Sequence, residues 1–374
     1  MKIAKNTLLL YFVISLLYAC KGVESGNVAV RKLQIDPELI ESHVRLSDMA
    51  ETSLVPLPAS DTVLVGEINH IYTVGEYIYV SDMSTVFKFS SDGKFVSSIH
   101  RRGEAPDEYL NISDFQVTSD DVWILCRNTH MLYLYSWDNK LKRKQPVDLW
   151  VENIRLSGDN SMWLYTGNEK SDDPYTQLHS LDLQSGNVTA HFKPVNEHQA
   201  QYLFVKGANM FSKGEGDMDC HFFQLFNDTV YRLTPRAITP EYILEWNGKN
   251  VPASFYEKNY ENIMDFFQHL HSNGSYAYGI QSFTESESAF GITYYYQGQC
   301  YCSIVPKDGA SPPVTFSKIF VAGLSGEHEV ELSEASVFSQ DNGSLVISMD
   351  LPDVAGQSEQ ADDPNPVLLV VKLP

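Results

Sequence analysis

The sequence predicts an all-β fold, a six-bladed β-propeller of four-stranded blades with one short helical insertion. Three observations carry this prediction. First, Val86–Phe95 (VFKFSSDGKF) lies over Leu132–Leu141 (LYLYSWDNKL) at a shift of 46 residues, and each copy is an alternating strand, an Asp-Gly or Asp-Asn turn and a second strand. Second, a further β run precedes each copy, Tyr77–Val80 and Val122–Leu125. The pattern returns once more with Met162–Tyr165 and Leu181–Val188. A strand-rich unit recurring every 40 to 50 residues is the signature of propeller blades. Third, the last unit (Ser336–Phe338, Leu345–Met349, Val367–Leu373) is one strand short, and Ser53–Leu57 ahead of the first blade can supply it. Pairing both chain ends in one blade closes the ring and removes exposed sheet edges.

The chain opens with Lys2 and Lys5 before an apolar run of about eleven residues, Thr7–Leu17, so residues 1–19 read as a signal peptide. The run is too short to span a bilayer, which takes roughly 20 apolar residues. Leu17-Tyr18-Ala19-Cys20 places an aliphatic residue at −3, a small one at −1 and a cysteine to be acylated, so Cys20 is the expected lipidation site. Two or three acyl chains hold a protein firmly, because each buried methylene contributes about 0.8 kcal/mol. The membrane partner is thus reached through lipid, and the expected location is the bacterial cell envelope, at the outer membrane. Residues 20–50 read as a lipid-anchored tether and 51–374 as the propeller.

The fourth and fifth blades are looser: Gln201–Val205, Cys220–Leu225, Thr229–Leu233 and Tyr242–Trp246, then Tyr276–Phe283, Phe290–Tyr296, Cys300–Val305 and Phe316–Val321. Between them, Ser254–His271 places Tyr256, Tyr260, Ile263, Met264, Phe267 and Leu270 on one helical face. Ser254 and Glu257 form a capping box, and Asn273-Gly274 supplies a stop. This helix is expected across one end of the propeller, as a packing element or a lid.

Formal charge is −21, and removing Lys2 and Lys5 with the signal makes it −23. Such a surface repels phosphate backbones, so nucleic acid is excluded as a partner. Beyond Cys20, the four cysteines Cys126, Cys220, Cys300 and Cys302 read as buried thiols, although export permits disulfides. His269 and His271 point apart on the predicted helix. Asp217, Asp219, Asp362 and Asp363 lack EF-hand spacing. Neither a metal site nor any cofactor is expected, and the chain lacks G-x-S-x-G, H-E-x-x-H, Walker and Rossmann motifs.

Residues 92–117 carry the most specific pattern: Asp92-Gly93-Lys94-Phe95, then Arg102-Gly103-Glu104-Ala105-Pro106-Asp107-Glu108-Tyr109 and Asp114-Phe115. It resembles the six-bladed β-propeller lipoproteins of Gram-negative bacteria, relatives of the NHL-repeat propellers, with Gly103, Pro106, Glu108 and Tyr109 matching their loop. Ala105 and Asp107 depart from that loop, where glycines are common. The resemblance implies six blades and an exported lipoprotein, and no particular reaction. Read physically, the loop is a blade-to-blade link: Gly103 turns, Pro106 fixes φ, Tyr109 anchors its ring and Glu108 accepts backbone N–H bonds. Arg101 and Arg102 are the candidate binding residues, two adjacent cations that receive an anionic group or pair with neighbouring carboxylates. The function expected is a tethered binding or scaffold module for a small-molecule, glycan or protein ligand. The rival is an enzyme, a lyase or hydrolase on glycan or peptide material, with its site in the central channel.

Overall fold

A computed structural model describes residues 30–60, 63–158, 160–167, 176–192, 209–214, 219–235, 237–272, 275–323, 326–351 and 365–374. Six antiparallel sheets follow one another along the chain. Blade one is His70–Val74, Tyr77–Ser81, Val86–Ser90 and Phe95–Ile99; blade two is Asp114–Val117, Asp121–Cys126, Met131–Ser136 and Leu141–Pro146. Blade three is Asn153–Leu156, Ser161–Tyr165, Leu178–Asp182 and Val188–Phe192, and blade four is Phe211–Lys213, Cys220–Gln224, Asn227–Thr234 and Ala237–Glu245. Blade five is Ala277–Glu285, Ala289–Tyr296, Gln299–Pro306 and Val314–Phe316. Blade six is Ser336–Ser339, Ser344–Met349, Val367–Lys372 and, on its outer edge, Glu51–Pro56. The fold is therefore the six-bladed propeller that the repeats predict.

Each sheet has a neighbour on both faces, which is why central strands such as Val122–Cys126 are buried almost throughout instead of alternating. The core is a series of seams between blades. Phe338, Val346 and Leu368 of blade six meet Ile78, Val80 and Phe89 of blade one. Trp123, Leu125 and Leu132 of blade two meet Ile154, Met162 and Leu164 of blade three.

Polar side chains on the innermost strands link successive blades. Asp114 accepts bonds from Asn153 Nδ2 at 3.0 Å and the Ile154 amide at 2.9 Å. Asn153 Oδ1 accepts from the Met210 amide at 3.3 Å. Gln340 closes the ring, accepting from the Thr73 amide at 2.7 Å and donating to the Ile71 carbonyl at 3.1 Å.

Three elements differ from the sequence reading, and the Gln201–Val205 strand expected in blade four lies outside the described residues, Phe211–Lys213 being the innermost strand there. The tether expected over 20–50 is ordered structure from Arg31: Arg31–Gln34 adds a fifth, parallel strand to blade four, with Leu33 and Ile35 buried. The segment then bridges Ile40 to Thr315 of blade five and buries Val44 and Leu46. Its alternating apolar side chains find outer sheet edges distant in sequence. The strand expected at Phe316–Val321 is divided. Val314–Phe316 completes blade five, whereas Lys318–Ala322 leaves the sheet and pairs with Glu327–Glu331.

The third difference is the helix. It is broken into α1, Ala253–Tyr256, and α2, Ile263–Ser272. Pro252 stands at the start of α1 in place of the Ser254 cap. Asn262 caps α2 by accepting from the Met264 and Asp265 amides at 2.9 and 3.0 Å, and this competing cap is what interrupts a single helix. The break rotates the apolar face. Phe266 is buried, while Met264 is 72% exposed.

Candidate functional site

Because strands alternate in direction, the first and third turns of every blade lie at one end of the ring. The second turns and the blade-to-blade links lie at the other. The Arg101–Tyr109 loop and helices α1 and α2 belong to the link end.

The Tyr109 ring is fully buried there, its hydroxyl donating to the Ser84 carbonyl at 2.8 Å and accepting from the Arg101 amide at 3.1 Å. Burial pushes that phenol well above its ordinary value. Glu108 accepts from the Ala105 amide at 3.0 Å, and its carboxylate covers the Gly103 Cα so closely that a Cβ there would lie 1.9 Å from Oε2. The Pro106 carbonyl accepts from Lys144 Nζ at 2.8 Å. Arg101 pairs with Asp107, and Arg102 Nε donates to the Leu110 carbonyl at 3.2 Å. At the same end, α1 and α2 cover an aromatic cluster in which Phe255, Tyr260, Phe266 and Leu270 meet Tyr278. His269 turns to Asp265 and His271 to the Tyr278 hydroxyl at 2.7 Å.

Among the described residues, two side-chain links cross the central channel. Near the link end, Asn209 donates to the Tyr72 hydroxyl, which donates to Asp114 Oδ1 at 3.2 Å. Burial, with the Asp114 charge beside it, holds Tyr72 far above the usual phenol range. Toward the turn end, Arg155 of blade three reaches Asp341 of the opposite blade six at 2.8 Å. Burial works against the Arg155 charge, but Asp341 outweighs it and keeps the guanidinium protonated.

At the turn end, blades four, five and six enclose a cavity of about 810 Å³. Lys213, Glu285, Glu287, Lys307, Asp341 and Lys372 carry its charged side chains, with Ser286 and Asn342 between them. Each sits at or beside a strand end. Behind the wall, His221 Nε2 lies 3.1 Å from Glu241 and 3.3 Å from Glu285, and the imidazole is fully buried. Glu285 also accepts from the Tyr242 hydroxyl at 2.9 Å and Lys307 Nζ at 2.5 Å. Burial opposes ionisation of Glu241, but the His221 hydrogen bond and the charges of His221 and Arg232 prevail and lower its pKa.

Nothing in the sequence announced this cavity. Its charged residues span Lys213 to Lys372, come from three blades and form no local motif; a position at a strand end is their one shared signal. The arginines singled out by adjacency lie at the opposite end.

The four cysteines expected as buried thiols are free, Cys126, Cys220 and Cys302 being buried and Cys300 half-buried. Burial pushes the Cys220 thiol up to about 12 and Cys300 to about 11. Among the described residues, no three His, Cys, Asp or Glu side chains form a metal-holding group. Asp219 pairs with Arg232, whereas Asp217, Asp362, Asp363 and the lipidation candidate Cys20 lie outside the described residues. No helix of the described residues is long and apolar enough to cross a membrane.

Fold and site together define a six-bladed β-propeller with an open cavity at its turn end. The chain belongs to the family described as domain of unknown function DUF4934, whose profile matches residues 33–372. A protein of Bacteroides fragilis NCTC 9343 described as exported shares the fold at a TM-score of 0.70 and 15% identity, covering 92% of this chain and 99% of that one. A member of the DUF4221 family from Bacteroides vulgatus ATCC 8482 superposes at a TM-score of 0.55 and 10% identity, over 87% and 96% of the two chains. No curated protein is similar in sequence.

Proposed function

We propose that this chain is an exported lipoprotein, anchored through Cys20 at the outer membrane, whose propeller is a binding module with its ligand in the turn-end cavity. One observation carries the binding reading. A cavity of about 810 Å³ is built by three blades and carries several polar groups directed into one space, within the size range of small-molecule sites. The export reading rests on the signal and the Leu17–Cys20 motif, and the Bacteroides fragilis neighbour's description supports it.

Two experiments test the two halves. Replacing Asn342, an exposed cavity residue, by Trp fills the space. A small-molecule or glycan ligand that stabilises the wild-type chain against heat and not N342W supports the cavity, whereas equal stabilisation of both moves the site elsewhere. For the anchor, Cys20→Ala is expected to leave the membrane fraction, and retention there refutes lipidation.

The enzyme reading has one foothold, Glu285 in the cavity wall with a buried histidine at 3.3 Å, an arrangement suited to proton transfer. Turnover of a glycan or peptide substrate abolished by Glu285→Gln would favour it over the binding module.

A further inference from the structure

Lys213, Lys307 and Lys372 reach one cavity from three successive blades, in a chain with 48 acidic and 27 basic residues. Two of the three acids of the lining are differently placed. Asp341 is turned back to the buried Arg155, and Glu285 to His221 and Tyr242. Lys213 and Lys372 face outward. Lys213 is exposed and makes no ion pair among the described residues. Lys372 meets Glu51 at 2.8 Å, but both side chains are more than half exposed, and such a pair is weak and easily exchanged. Lys307 is held by Glu285 and lies over the Phe290 ring at 4.9 Å, and the Tyr242 hydroxyl keeps its bond to that carboxylate when Lys307 turns away. No described lining residue is aromatic, so none of them offers a ring on which an uncharged sugar or base would stack.

We infer that the cavity takes its ligand by an anionic group, a carboxylate or a phosphate, held by Lys213 and Lys372 with Lys307 as the third contact. The inference rests on the cavity being the binding site. Ammonium groups are point charges that accept either anion without the fixed fork of an arginine. Glu287, exposed at the rim with no cation against it among the described residues, opposes the anion.

Calorimetric titration of the full chain at low salt with inorganic phosphate, D-galacturonate and D-galactose tests this. One of the two anions binds and galactose does not, the better anion identifying the group. Lys213→Ala and Lys372→Ala each weaken that binding about tenfold, and added salt weakens it further. Glu287→Gln tightens it about twofold, a gain that a structural role would not produce. Lys318→Ala, paired with Glu329 on the outer hairpin, leaves it unchanged. Failure of both anions to bind at millimolar concentration overturns the inference, as does binding that is indifferent to the lysine substitutions. Galactose binding that N342W abolishes would overturn the anionic preference while leaving the cavity reading standing.

Discussion

The two ends of this propeller use charge in opposite ways. At the link end, Arg101 is matched by Asp107, Arg102 by a backbone carbonyl and Glu108 by a backbone amide, all within a few residues of one another. At the turn end, Lys213 faces an open space, and Asp341 and Glu285 are committed to groups buried behind them while Glu287 stands exposed at the rim. A conspicuous run of charged residues thus became a structural link, while dispersed lysines became the candidate site. Local pairing is available to residues that are close in sequence. Residues delivered by separate blades meet only if the ring brings them together.

The largest effect that would sharpen this contrast lies at the link end. Tyr109→Ala removes a fully buried ring and its hydroxyl bonds and should cost about 3–5 kcal/mol in denaturant unfolding. A loss below about 1 kcal/mol would break the claim that this loop fastens blades one and two. Next comes the channel. Asp341→Ala strands the buried Arg155 charge and should cost about 3 kcal/mol, whereas Arg155→Met removes the charge itself and should cost clearly less. Equal losses would argue against a pair that matters through burial.

The pH response follows from Glu241. Its carboxyl is held below the ordinary value of 4.5, so its stabilisation is fully present above that value and is lost as pH falls through the lower, folded-state pKa. Acid unfolding should therefore be shallower in Glu241→Gln than in wild type, measured as melting temperature between about pH 5 and 3. The smallest effect belongs to the arginines. Arg101→Ala should cost no more than about 1 kcal/mol, because its pair with Asp107 is partly exposed. The Arg101→Ala/Arg102→Ala variant should bind a cavity ligand as wild type does. Weaker binding there would return the site to the link end.

Much of the architecture was legible because it is written in short-range pattern. The hairpins at Val86–Phe95 and Leu132–Leu141 are local, so alternation and turn residues reveal them in any context. The Glu108 bond to the Ala105 amide is equally local, whereas Gly103, read as a turn residue, is required instead by the close approach of the Glu108 carboxylate. Elements stabilised by competing or distant contacts were not. Ser254–His271 has a helical apolar period, yet Asn262 offers a cap in the middle and the helix yields to it. Arg31–Gln34 has no nearby strand, and its partner Tyr242–Glu245 is more than 200 residues away.

By itself, then, the sequence determined the all-β class, the blade repeat and the loop that joins blades one and two, since each depends on neighbours along the chain. Tertiary structure alone decided that Lys213, Lys307 and Lys372 share a cavity, that Arg155 reaches across the channel to Asp341, and that residues 31–40 bind the outside of blades four and five. The physical reason is one of range. Side-chain alternation and turn chemistry act over a few residues, whereas a site between blades exists only once the closed ring has fixed which strand ends lie side by side.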